Sequence, residues 1–214
     1  MFNYLIRVHL PDRPGALGAV ASRIGSVGGD VVSIDILERV GGVVIDELGV
    51  GLAGDHLIDL LRDEVLEVDG VSIESLRPLE GALPDRHLDL LEAAAELIKQ
   101  TSPKALLEHL TVRVRRSLAA TFAAVLDKAA TDVVASDGPT PDNGELNALV
   151  LQAMDPAEDS VEDPLDGAGV AVARMVEADL LLVVGRSDPV LRERERQWIS
   201  ITAELADHGW GNRV

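Results

Sequence analysis

The residues best placed to do chemistry are Leu10, Pro11, Asp12, Arg13, Pro14, Gly15, Ala16 and Leu17, which lie between a strand pattern and a helix pattern. A helix N-terminus presents backbone N–H groups without intrahelical partners, together with a partial positive charge. Gly15 allows a ligand or another backbone to approach closely. Pro14 sets the entry angle of the chain without removing a needed donor. Together they form a seat for a small carboxylate, held by the backbone N–H groups of Gly15, Ala16 and Leu17. Asp12 either receives an ammonium group or caps the helix. A molecule with both groups is an amino acid or a similar small zwitterion. The plain alternative is a capped loop with no ligand, because Asp and Gly are common at helix starts.

Other groupings carry less. His9, His56, His87, His109 and His208 do not cluster at metal-ligand spacing. They read as structural or surface residues, so no metal and no cofactor is expected. Asp12, Asp30, Asp35 and Asp46 read as an acidic strand surface rather than as acid–base pairs. Gly25 to Gly29 closes a helix and is followed by no Lys-Ser/Thr pair, unlike a phosphate loop. Arg113, Arg115 and Arg116 are expected to pair with Glu108 or with the acidic stretch further on. Arg192, Arg194 and Arg196 alternate with Glu193 and Glu195 as a solvated helix face. No catalytic residue emerges, and the expectation is a protein that is not an enzyme. An enzyme using Asp and His residues, Asp12 and His9 among them, is a third option beside a sensing protein and an interaction module.

The elements that position the loop follow from periodicity. Tyr4, Ile6, Val8 and Leu10 alternate as a strand. Leu17, Val20, Ala21, Ile24 and Val27 mark one helical face, which Gly28-Gly29 stops. Val31 to Arg39 and Val43 to Leu52 are strands joined at Gly41-Gly42. Gly54 and Asp55 open a second helix with Leu57, Leu60, Leu61 and Val65 on one side. Val71 to Arg77 is a fourth strand, ended by Pro78. The order β-α-β-β-α-β, with both helices on one face of an antiparallel sheet, is the ferredoxin-like layout. The other face must be covered or polar. Val32, Ile34 and Ile36 beside Ile45 would leave an apolar surface that invites self-association.

Leu79 to Arg86 has no periodicity and reads as a linker, with its body at 81–86, so domains are expected at 1–80 and 87–214. In the second, Leu88, Leu91, Ala95 and Ile98 mark a helix. Pro103 opens another through Leu106, Leu107, Leu110 and Val114. Leu118 to Leu126, Thr131 to Ala135, Val170 to Met175 and Leu180 to Val184 read as strands. Asn143 to Met154 fits strand or helix. Asp155 to Gly169 carries six acids and no base, a solvated segment. Pro189 to Ala206 is the last helix, with Leu191, Trp198, Ile201 and Leu205 turned inward.

The 214-residue chain has a formal charge of −18, 47% hydrophobic residues and no cysteine. That field repels phosphate backbones and anionic lipid, so neither nucleic acid nor a membrane surface is an expected partner. No apolar run is long enough to span a bilayer. Absent cysteine excludes disulfides and thiolate chemistry and fits a cytoplasmic setting.

Residues 4–78 resemble an ACT domain, the ferredoxin-like regulatory module of amino-acid metabolism. The resemblance rests on Asp12-Arg13-Pro14-Gly15-Ala16-Leu17, the helix with Val20 and Ile24, Gly28-Gly29-Asp30-Val31, and the β-hairpin. It implies a ligand at a subunit interface of a homodimer, held by the Asp12–Leu17 loop of one chain and by Asp30 at the start of strand two. Many such domains carry an asparagine where this chain has Asp30, and an aspartate prefers a cationic group. Leu10 takes a position that is sometimes polar in ligand-binding members. The second half resembles a GAF domain on fewer features: the leading helix pair, Leu180 to Arg186, and the closing helix after Asp188-Pro189. Without cysteine for a bilin or an aromatic cluster for a nucleotide ring, the expected role of that half is ligand-free dimerisation. The sequence therefore points to an α+β sensing protein, an ACT-like domain followed by a GAF-like domain. The alternative is a ligand-free module that recruits a metabolic enzyme.

Overall fold

The computed structural model describes residues 2–79, 85–129, 132–154 and 169–211. Two compact units divide the chain at residues 84 and 85. Each is a mixture of helices with one four-stranded antiparallel sheet, so the chain is α+β. Of the linker body expected at 81–86, residues 81–84 lie outside the described residues and Arg86 already opens a helix; of the acidic segment expected at 155–169, all but Gly169 lies outside them.

In the first unit the elements are β1 (Phe2–Pro11), α1 (Ala16–Ser26), β2 (Asp30–Val40), β3 (Val43–Leu52), a 3-10 turn (Asp55–Leu57), α2 (Ile58–Leu66) and β4 (Ser72–Leu79). The sheet order is β2-β3-β1-β4. Alternation sends Tyr4, Ile6, Val8 and Leu10 to one face, where Val44, Leu48, Val50 and Leu52 join them. Ala16, Val20 and Ile24 of α1 and Leu61 and Val65 of α2 complete this core. Both helices thus cover one face. On the other face Leu5, Ile45, Arg7 and Glu47 are buried, and Arg7 pairs with Glu47 at 2.9 Å. Ile45 therefore does not join the exposed stripe. Val32, Ile34 and Ile36 do remain exposed on edge strand β2, at 53%, 47% and 38%.

Two boundaries and one burial differ from expectation. Gly54 starts a 3-10 turn rather than the α-helix itself. Pro78 lies inside β4 instead of ending it, as an edge strand permits because only one side of its backbone must donate to the ladder. Asp46, expected on the surface, is 2% exposed. It follows Val44 and precedes Leu48 on the helix-facing side of β3, so the pleat carries it inward.

The second unit comprises α3 (Arg86–Ile98), α4 (Pro103–Ser117), β5 (Phe122–Asp127), β6 (Val133–Asp137), α5 (Asn143–Met154), β7 (Val170–Met175), β8 (Leu180–Gly185) and α6 (Glu193–Gly211). The sheet order is β6-β5-β8-β7. One face packs on α3, α4 and α6 through Val125, Leu182 and Val184. The other packs on α5 through Phe122, Leu126, Leu181 and Val183, against Leu146 and Val150. The 143–154 segment is thus a helix.

Ser102 caps α4, accepting from the Ala105 N–H at 3.2 Å, with Pro103 in its first turn. α3 turns the unexpected face inward: Ala93 and Leu97 are buried, whereas Leu88, Leu91 and Ile98 are exposed. On α6, Leu191 just before it and Trp198 are buried as expected, but Ile201 and Leu205 are exposed and Ile199, Ala203 and Ala206 replace them. Residues 118–121 belong to the turn before β5, where Ala119 adopts a positive φ of 49°.

The charged residues of α6 depart most from expectation. Arg192 and Glu195 are buried. Glu195 accepts both oxygens' worth of hydrogen bonds from the Arg186 guanidinium, at 2.9 and 2.8 Å, and a third from the Arg192 N–H at 3.0 Å. The same guanidinium donates to the carbonyls of Leu118, Pro189 and Val190. Those bonds pin 189–190 as a loop, and α6 begins only at Glu193. Arg113 pairs with Asp89, Glu92 and Glu96, and Arg115 with Asp137, rather than with Glu108, which meets Lys104.

Candidate functional site: the β1–α1 turn

The turn is built by short backbone bonds. The Asp12 N–H donates to Gly42 at 2.8 Å, tying the loop to the β2–β3 hairpin, and the Arg13 N–H donates to Pro11 at 2.7 Å. Gly15 then takes φ 89°, ψ −11°, a left-handed conformation that a Cβ would disfavour. α1 starts at Ala16 with no side-chain cap. Of the three expected donors, the Ala16 N–H is taken: it reaches the Arg13 carbonyl at 3.3 Å. Among the described residues, the N–H groups of Gly15, Leu17 and Gly18 donate to no protein acceptor. A Cβ built on Gly15 meets nothing within 4 Å, so the space beside that residue is open. Unsatisfied donors at the positive end of a helix suit an anion.

The expected site residues fall into three groups. Pro14 and Gly15 are exposed at the turn, and Leu10 and Ala16 are buried beneath it in the core. Leu17 is half-buried against the same core. Asp12 does not cap α1; its Oδ1 accepts from Arg39 of β2 at 2.7 Å. Arg13 reaches the carbonyl and carboxylate of Asp69, at 3.5 and 3.7 Å. Asp30 lies elsewhere. It is level with Gly51 and, across β3, with Asn3, whereas the turn follows Pro11. Eight ladder steps separate the two, about 27 Å at the usual rise per residue. One chain does not bring Asp30 to the turn.

Asp46 is the residue that the sequence reading passed over. Its Oδ1 is buried without a hydrogen-bond partner. Burial raises its pKa above the ordinary carboxylate value, and the nearby Arg39 charge pulls it part of the way back. Arg39 thus links Asp12 and Asp46 electrostatically. The signal was available: an acid at an inward position of an alternating strand, between Val44 and Leu48.

The histidines stay apart. His9 meets Glu74 at 3.3 Å and His109 meets Glu96 at 3.1 Å, while His208 and Glu177 approach to 3.9 Å. No group of three or more metal-ligating side chains occurs among the described residues. No described helix is long and apolar enough to cross a membrane.

No protein-family profile matches the chain, and no curated protein is similar to it. Solved structures show similarity at low identity. The GAF domain of an Acinetobacter phosphoenolpyruvate-protein phosphotransferase has 13% identity and TM-score 0.43, covering 61% of this chain and 95% of its own. The corresponding GAF domain from Coxiella burnetii has 13% identity and TM-score 0.43, covering 59% and 93%. A bacteriophytochrome from R. palustris has 12% identity and TM-score 0.42, covering 83% of this chain and 42% of its own.

Proposed function

We propose that the chain is a sensing protein whose first unit binds an amino acid, or a similar small zwitterion, at the β1–α1 turn. The observation that carries this reading is the set of N–H groups at Gly15, Leu17 and Gly18 without a backbone acceptor, at a turn with open space beside Gly15. The ligand carboxylate takes those donors, with the Arg39 guanidinium close by. Asp12, whose Oδ1 alone is committed to Arg39, offers its other oxygen to the ammonium group. The β-α-β-β-α-β order with sheet order β2-β3-β1-β4 supports an ACT-like assignment for this unit.

Association into a homodimer belongs to the same reading. Edge strand β2 exposes Val32, Ile34 and Ile36, an apolar stripe that a second copy can cover. Asp30 starts that strand, so a dimer through β2 is the route by which it reaches the turn of a partner. The second unit transmits the bound state or docks a regulated enzyme. The test is thermal unfolding of the full chain with each standard amino acid at about 10 mM. A ligand held at a hundredfold excess over its Kd stabilises by about 2.7 kcal/mol. A raised melting temperature with one or a few amino acids is expected. No shift with any of them supports the ligand-free interaction module instead.

A further inference from the structure

A cleft of about 400 Å³ opens at one end of the second sheet, lined by Lys128, Met154, Arg174, Val176, Asp179 and Leu181 among others. Strand register explains its make-up. Arg174 of β7, Leu181 of β8 and Leu126 of β5 are ladder neighbours in one row. Leu126 and Leu181 belong to the core under α5, so Arg174 shares that face. Lys128 follows the end of β5 and brings a second cation to the other side of Leu181. Met154 ends α5 and is 42% exposed, and Val176 is 80% exposed.

Two apolar side chains open to solvent beside two cations, in a chain of charge −18, make a hollow of distinct chemistry. The two cations differ in their engagement. Lys128 is held by Asp179 at 2.8 Å. Arg174 pairs through its backbone with Leu181 in the ladder, and no described residue pairs with its guanidinium. The wall that carries Val176 is fixed: Asp207 of α6 accepts from the N–H groups of Glu177 and Ala178 at 2.9 and 2.8 Å. Asp179 closes the β7–β8 turn at a positive φ of 57°, a conformation that aspartate tolerates in tight turns. The volume falls in the range of small-molecule sites, where an apolar lining carries a few orienting charges.

We propose that this cleft binds a small amphipathic carboxylate, with Arg174 forking onto the head group and the aliphatic tail lying on Met154, Val176 and Leu181. A planar guanidinium suits a carboxylate's two oxygens. The site is independent of the β1–α1 turn and stands whether or not an amino acid binds there.

The test is calorimetric titration of the full chain with monomeric octanoate, with 1-octanol and inorganic phosphate as partial mimics of tail and head. Octanoate is expected to bind at one site, octanol more weakly, and phosphate not measurably. Arg174→Gln, at an exposed position, is expected to leave the melting temperature unchanged. It should weaken octanoate by about tenfold or more while sparing octanol. Val176→Asp should weaken both. No octanoate binding, equal octanoate binding by Arg174→Gln, or phosphate binding as tight as octanoate each overturns the proposal. Binding to phosphatidylglycerol vesicles without binding of monomeric octanoate overturns it in favour of a lipid surface.

Discussion

Replacing Asp46 with asparagine is expected to stabilise the fold. The native carboxylate is 2% exposed, and its Oδ1 has no hydrogen-bond partner. Burial raises its pKa from 3.8, and only the Arg39 charge opposes that rise. The folded state therefore holds the proton more tightly than the unfolded state. Stability from this group is fully present below the unfolded value and falls as pH rises through the folded value. At neutral pH the protein carries the whole penalty. An unpaired charge costs more to bury than a neutral amide of the same shape. Asparagine keeps the shape and removes the charge, so a gain of about 1–2 kcal/mol at pH 7.5 is expected, shrinking towards zero below about pH 4. Urea unfolding of both proteins across that range measures it. A loss of about 1 kcal/mol or more at pH 7.5 would show the carboxylate to be paired, and a gain independent of pH would show that its charge is not the cause; either refutes the reasoning.

The remaining expectations concern single contacts. Gly15→Ala meets no steric obstacle but forces a Cβ into the left-handed region, so it should cost about 1–2 kcal/mol in urea unfolding. Glu195→Ala leaves the buried Arg186 guanidinium without its carboxylate and should destabilise the second unit by about 3–5 kcal/mol in the same assay. Ile34→Lys, at a 47% exposed edge position, should leave the circular dichroism spectrum unchanged and shift sedimentation velocity towards monomer. An unaltered dimer in that variant places the interface elsewhere.

The sequence made the first unit legible because its periods are clean. Tyr4, Ile6, Val8 and Leu10 specify a face, Gly41-Gly42 marks a hairpin, and Gly28-Gly29 stops α1 where the Gly29 N–H bonds back to Ile24 at 3.0 Å. Local rules could say less about β1's second face, because Arg7 and Glu47 look like surface residues until their pairing is seen. The α3 face was misread for a related reason. Leu88, Leu91 and Ile98 have helical spacing, but so do Leu90, Ala93 and Leu97, and tertiary packing selected the second set. On α6 the alternation of Arg and Glu resembles a solvated face; the long-range partner of Glu195 is Arg186, which no short window contains. At the turn, the open Gly15 donors were legible from composition, whereas the Asp12–Arg39 pair depends on the distance between strands.

The most direct measurement is the amide spectrum of ¹⁵N-labelled full-length protein titrated with the amino acid that most raises its melting temperature. The proposed function requires the Gly15, Leu17 and Gly18 amide protons to move downfield together and saturate with one dissociation constant, as hydrogen bonds to a carboxylate form. Saturable shifts confined to other residues, with those three amides unmoved, contradict it.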